Sequence, residues 1–137
     1  MCGIFGLLNS DRSRIFINKY FEKGTGRGPE FSKLIDYKNL YFGFHRLAIN
    51  GLNTESNQPF YFENTILICN GEIYNYKELA EQNNIKLQTS SDCEIIIHMY
   101  KLFGIEYTLN ILDGVFSFIL YDKIKDLCFI ARDPYGV

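Results

Sequence analysis

Residues 114–121 form an apolar run, and after the short polar segment 122–126 a second run follows at 127–131. Two β-forming runs so closely joined pair as an antiparallel hairpin, because a parallel crossover needs a dozen or more residues. Further strand-like runs occupy residues 4–8, 40–49 and 65–69, the last cut short by Asn70-Gly71. Helical patterns are inserted between them. Ile15, Tyr20 and Phe21 give a weak one that ends at Gly24, and the glycine-rich stretch 24–29 reads as loop. Residues 76–82 read as a short helix. Ser91-Asp92-Cys93-Glu94 matches a capping box, and the helix it opens places Ile95, Met99 and Leu102 on one stripe, with Ile96 and Phe103 beside it and Gly104 as its stop. Strands and hairpins with inserted helices are not a regular βαβ alternation, so the order predicts a layered α+β fold. The last hairpin leaves a sheet edge with little to cover it.

The chain has 137 residues, enough for one domain with a real core. Its 47% hydrophobic content excludes disorder by composition. The net charge is -2 and no Lys/Arg run is present. These features argue against nucleic acid or an anionic membrane as partner and suit a small-molecule substrate. No apolar stretch is long enough to span a bilayer. Cys2, Cys69, Cys93 and Cys128 form no Cys-x-x-Cys pair and have no histidine at metal-ligand spacing, so no metal site is expected, and with nothing to mark the chain as secreted no disulfide framework is expected either. No signal peptide opens the sequence, and the expected location is cytoplasmic.

Cys2 is the second residue. Removal of Met1 would leave a cysteine that holds a thiol nucleophile and an α-amine together. An α-amine has a reference pKa of about 8 and can take and return the thiol proton. The alternative is a small apolar residue packed beside a strand.

The opening Met1-Cys2-Gly3-Ile4-Phe5-Gly6 is followed by Arg27-Gly28-Pro29-Glu30, by Phe42-Gly43-Phe44-His45-Arg46-Leu47-Ala48-Ile49, and by Gln58-Pro59. Then come Asn70-Gly71-Glu72-Ile73-Tyr74-Asn75, Ser91-Asp92-Cys93-Glu94-Ile95-Ile96, Leu112-Asp113-Gly114-Val115-Phe116-Ser117-Phe118 and Ala131-Arg132-Asp133-Pro134-Tyr135-Gly136-Val137. In this order, and over the whole chain, the motifs resemble the class II glutamine amidotransferases, in the wording of the glutamine-hydrolysing asparagine synthetases. The resemblance implies an N-terminal-nucleophile fold over residues 2–137. Two antiparallel sheets stack face to face between helical layers (αββα), with Cys2 at the end of a central strand. It implies hydrolysis of L-glutamine to L-glutamate and ammonia through a Cys2 thioester. The ammonia would be destined for asparagine synthesis from aspartate.

By the same resemblance, the Asn70 side-chain amide and the Gly71 N–H form the oxyanion hole; read locally, Asn-Gly is a hairpin turn. Arg46 would grip the glutamine α-carboxylate, for which a guanidinium is geometrically suited; the local alternative is a surface arginine at a strand end. Asp92 would hold the α-ammonium, with a helix dipole helping to keep it ionised; locally it is an ordinary first-turn acid. Glu72 would add a second carboxylate, and Ile49 would line the substrate site. His45 is read as packing or hydrogen-bonded, His98 as solvated, Cys69 and Cys128 as core. Cys93 could feel the helix N-terminus.

The sequence departs from the family in two places. Gly26 stands where asparagine synthetases usually have His. By the resemblance, further strands that complete the sheets and then a synthetase domain are expected after Arg132-Asp133, and the sequence here runs to Val137. No cofactor is expected for the glutaminase step; ATP and magnesium would belong to that synthetase domain. The expected partners are L-glutamine, a synthetase domain or subunit, and a possible second copy of the chain. A fragment, a split gene and a decayed copy all fit the sequence. The alternative function is a catalytically inactive module that binds glutamine or pairs with a partner.

Overall fold

A computed structural model describes residues 2–48 and 54–136. In chain order the elements are β1 (Gly3–Leu7), α1 (Arg14–Glu22), β2 (Phe31–Tyr37), β3 (Leu40–Arg46), β4 (Phe60–Phe62), β5 (Thr65–Ile73), α2 (Tyr76–Gln82), α3 (Ile95–Ile111), β6 (Gly114–Asp122) and β7 (Leu127–Arg132). Short 3-10 turns lie at Thr25–Arg27, Thr54–Ser56 and Asp92–Glu94. The strands make two antiparallel sheets, ordered β1-β3-β2 and β4-β5-β6-β7.

Strand alternation divides the apolar residues between two cores. Phe42 and Phe44 of β3 meet Ile66 and Ile68 of β5 and Ile119 and Tyr121 of β6 between the sheets. Their neighbours Leu67, Cys69, Phe118 and Leu120 point the other way and pack on Leu79, Ile95, Ile96 and Met99 of α2 and α3. The helix α1 covers the outer face of the three-stranded sheet: Ser13 caps it by accepting from the Phe16 N–H, and Phe21 packs on Phe5 and stacks on His45. The result is the α+β αββα layering expected from the sequence. Each fully buried Ile, Leu or Phe contributes about 1.5–3 kcal/mol, so the central sandwich is held by both of its faces.

Several local expectations are corrected. The strand at Thr65 does not stop at Asn70-Gly71; β5 continues to Ile73, paired with β6 from Thr65–Asp122 to Ile73–Gly114. Nine consecutive cross-strand pairs override the turn preference of Asn-Gly. The strand β1 is not central: it pairs with β3 alone among the described residues and lies at the sheet edge. Strands β2 and β4 were not anticipated. The first is an amphipathic edge strand that turns through Lys38 at φ 54°, not through a glycine, and the second has only three residues. Gly104 breaks the helical backbone (φ 81°, ψ 173°), yet α3 resumes to Ile111. Leu102 and Phe103 are exposed; the buried face is Ile95, Ile96, Ile97, Met99 and Tyr100. The capping box does not form. Ser91 makes no side-chain cap, and Glu94 instead accepts from the Gln88 and Thr89 N–H groups and the Thr89 hydroxyl. No helix among the described residues is long and apolar enough to cross a membrane.

Candidate active site

The site grows from the unequal lengths of β4 and β5. Phe60, the first residue of β4, pairs with Leu67, and β5 runs on for six further residues. In an antiparallel strand alternate residues direct N–H and C=O to the same edge. Past Phe60, the vacated edge of β5 is therefore presented by Cys69, Gly71 and Ile73. The Cys69 N–H donates to Gln58 Oε1 at 2.5 Å, and its C=O accepts from Gln58 Nε2 at 3.0 Å. The Ile73 N–H donates to Asp92 Oδ2 at 2.6 Å. Between them the Gly71 C=O accepts from the Cys93 thiol at 3.8 Å, and the Gly71 N–H faces a cavity of about 110 Å³. A Cβ at Gly71 would lie 2.3 Å from the Val115 carbonyl oxygen, so β6 approaches too closely for any side chain there.

That cavity is lined by Cys2, Arg46, Asn70, Gly71, Glu72 and Asp92, together with Leu47, Gln58 and Cys93. Six residues spread from 2 to 92 in the sequence thus meet in one place. Gly3 pairs with His45, which brings Cys2 beside the end of β3. There its sulfur accepts from the Leu47 N–H at 3.4 Å and its thiol faces the Leu47 carbonyl at 3.5 Å. Asn70 projects from the sandwich side of β5, and its Oδ1 is buried with no hydrogen-bond partner among the described residues. An unmet buried amide oxygen costs about 1–3 kcal/mol. Such a group is kept where a ligand completes its bonding.

The charged groups sit around this cavity. Arg46 is buried at the end of β3, and its guanidinium donates to Asn57 Oδ1. Asp92 is buried in the 3-10 turn before α3. Burial pushes its carboxyl above the usual carboxylate range, the Ile73 N–H pulls it part of the way back, and the Glu72 charge adds to the rise. The N–H groups of Asp92 and Cys93 in the turn also favour the charged form, but desolvation is the larger effect. The expectation for Cys93 is corrected. Its thiol, in contact with Cys69 and fully buried, is pushed well above the ordinary range, so no helix terminus activates it.

His45 is structural, as its sequence setting suggested. Its Nε2 bonds the Phe21 carbonyl at 2.9 Å and must donate, so Nδ1 accepts from the Ser32 hydroxyl at 2.7 Å. His98 is not free in solvent: it is mostly buried and bonds Glu94 at 2.9 Å. Cys69 is core; Cys128 is half-buried against the inter-sheet cluster. Ile49 lies outside the described residues, as does Met1. The loop before β2 is tied to β3, for Glu30 accepts from the Ala48 N–H and its own N–H donates to the Arg46 carbonyl at 3.2 Å. A Cβ at Gly28 would lie 2.4 Å from the His45 carbonyl oxygen, whereas one at Gly26 would meet nothing within 4 Å. A histidine at 26 therefore meets no steric bar at its Cβ. The sequence shows Gln58 and Leu47 only as parts of motifs and gives no sign of Asn57. The Gln58-Pro59 dipeptide was the one signal available for Gln58.

A family model described as a glutamine amidotransferase domain matches residues 1–137. The glutamine-hydrolysing asparagine synthetase of Gallus gallus is 43% identical over 145 residues, covering 100% of this chain and 25% of the relative. The Homo sapiens asparagine synthetase is 39% identical with the same coverage, and a probable asparagine synthetase of Acanthamoeba polyphaga mimivirus is 38% identical, covering 100% of this chain and 26% of the relative. The chain thus spans about a quarter of the length of the curated relatives it matches. Among solved structures, the glutamine phosphoribosylpyrophosphate amidotransferase of B. subtilis, complexed with ADP and GMP, superposes with a TM-score of 0.58 at 27% identity, covering 72% of this chain and 24% of that one.

Proposed function

The chain belongs to the glutamine amidotransferase domain family, and on that premise we propose that it hydrolyses L-glutamine to L-glutamate and ammonia with Cys2 as nucleophile. The observation that carries the reading is the convergence of a thiol, the Asn70 side-chain amide, a strand N–H left open by β4, one guanidinium and two carboxylates on one cavity.

Arg46 takes the α-carboxylate and Asp92 and Glu72 take the α-ammonium, so the cavity selects a free amino acid over a bare amide. The side-chain amide then reaches Cys2. Removal of Met1 exposes the Cys2 α-amine, which accepts the thiol proton as sulfur attacks the amide carbon. Negative charge forms on the amide oxygen, where the Asn70 side chain and the Gly71 N–H donate to it. The tetrahedral adduct collapses to a thioester; the α-ammonium returns its proton to the departing nitrogen, which leaves as ammonia. Water, deprotonated by the same amine, attacks the thioester, releases glutamate and restores the thiol. The step uses protein groups and water alone. The ammonia would pass to an asparagine-forming synthetase domain or subunit, with ATP and magnesium acting there.

A calorimetric titration with glutamine, run beside an assay for released glutamate, tests the proposal. Saturable binding with glutamate release is the expected result. Binding without release would favour a glutamine-binding module, and absence of binding would favour a partner-pairing role.

Asp92 supplies a prediction with a defined sign. Its carboxyl is raised on folding, so the charged form is penalised once pH exceeds the ordinary carboxylate range. Its contribution to stability is best at low pH and worsens as pH rises from the unfolded value through the raised folded one. Asp92→Asn keeps an oxygen for the Ile73 N–H and removes the charge. It is expected to raise the melting temperature at neutral pH but not in acid. Glutamine affinity is expected to fall by roughly 30-fold, the worth of a charged hydrogen bond of about 2 kcal/mol. A parallel pair of melting curves and titrations reads both effects, and an unchanged affinity would remove Asp92 from the substrate site.

A further inference from the structure

We propose that Asn57 and Gln58 are positioning residues that divide the site between them: Gln58 sets the oxyanion donors and Asn57 aims the carboxylate grip. The inference deepens the glutaminase reading above and rests on it.

The register carries the case for Gln58. Phe60 pairs with Leu67 and Phe62 with Thr65. Extending that ladder by one more two-residue step would place residue 58 opposite Cys69. Pro59 lies between and has no N–H to offer, and β4 begins only at Phe60. At the vacant rung the Gln58 side chain does what a strand backbone would do. Its amide takes the Cys69 N–H at 2.5 Å and gives a hydrogen to the Cys69 carbonyl at 3.0 Å. Gln58 is buried, at 4% exposure, so water does not compete for either bond. This pair fixes the backbone of β5 immediately before Asn70 and Gly71. Asp92 fixes it again at Ile73, two residues after. The two proposed donors to the oxyanion are held between these clamps, and a β4 continued in the same register to residue 56 would have covered the Gly71 edge that must stay open. A side chain can end a ladder on a full hydrogen-bond pair without continuing it; a strand cannot.

Asn57 is the next residue, and it serves the other end of the cavity. Its Oδ1 accepts from the Arg46 guanidinium. A neutral acceptor orients the guanidinium without adding a negative charge of its own beside it. One dipeptide thus touches both halves of the proposed chemistry, and its two side chains act through Cys69 and Arg46, not on the substrate.

The two roles separate kinetically. Displacing donors that act only in the transition state lowers kcat, whereas misaiming a group that binds the ground state and transition state equally raises KM. The test is steady-state glutaminase kinetics on the full protein, with wild type, Gln58→Glu and Asn57→Ala compared, each first matched to wild type by its cooperative melting curve. Gln58→Glu keeps the acceptor for the Cys69 N–H but sets an oxygen against the Cys69 carbonyl. It is expected to lower kcat by about 10- to 100-fold with KM within about 3-fold. Asn57→Ala, at a half-buried turn position, is expected to raise KM by about 10-fold with kcat within about 3-fold. Should Gln58→Glu fail to melt cooperatively, Gln58→Met, which leaves the rung without either bond but keeps the volume, is measured in its place with the same expectation. Equal losses in both parameters for both variants, or no loss, would overturn the positioning roles while wild-type turnover leaves the glutaminase reading standing. A wild-type protein that releases no glutamate overturns that reading, and this proposal with it.

Discussion

Replacing Cys2 by alanine is expected to abolish glutamate release while glutamine still binds. The thiol is the group that forms the thioester in the proposed mechanism, and loss of a nucleophile of this kind lowers kcat by on the order of 10⁵- to 10⁶-fold. Binding does not depend on it. Arg46, Glu72 and Asp92 line the same cavity from β3, β5 and the turn before α3. Among the described residues the sulfur's hydrogen bonds are with the Leu47 backbone, at 3.4 and 3.5 Å. These are weak bonds, so the fold should tolerate the change. Calorimetry should return a glutamine affinity within about 3-fold of wild type, beside an assay with no glutamate. Turnover that survives the substitution would place the nucleophile elsewhere; Cys69 and Cys93, the other thiols at the cavity, would then be examined in the same way.

The second large effect is expected at Asn70. Asn70→Ala should lower kcat by about 10²- to 10³-fold, the usual consequence of removing one oxyanion donor, with little change in KM. The same substitution should leave stability unchanged or improve it. Its Oδ1 is buried without a partner among the described residues, so truncation removes an unmet polar atom and breaks no bond that this atom makes. Activity and stability moving in opposite directions is the signature of a group held for the reaction at the expense of the fold. A variant that loses stability along with activity would mean that Asn70 supports the structure instead. Gly71 offers no equally clean substitution, because a methyl group there meets the Val115 carbonyl oxygen at 2.3 Å.

The sequence carried the site better than it carried the strands that build it. Cys2, Arg46, Asn70, Glu72 and Asp92 were legible because ordered motifs named them, and all five line one cavity. The last hairpin and α2 were legible from local pattern, since 114–121 and 127–131 are apolar and 76–82 carries its own helical signal. Asn70-Gly71 misled because local turn preference is weak against nine cross-strand pairs with β6. The strand β4 was invisible for a different reason: three residues give no period to detect. Its shortness is nonetheless what opens the Gly71 edge. Gln58 was hidden because its role exists only in the register, where a side chain fills a rung of a ladder that the sequence does not announce. The burial that raises the Asp92 carboxyl was not legible, because it depends on packing by β5, which a local capping pattern does not report.

The central claim is that Cys2, freed of Met1, is the working nucleophile of a formed glutamine pocket. Intact-mass analysis of the protein from its natural source, before and after exposure to a diazoketone analogue of glutamine, tests it most directly. The predicted result is a mass lacking Met1 that shifts by one adduct, with peptide mapping placing that adduct on Cys2. A protein that retains Met1 and takes no label would contradict the account, because neither the base nor the nucleophile it requires would then be present.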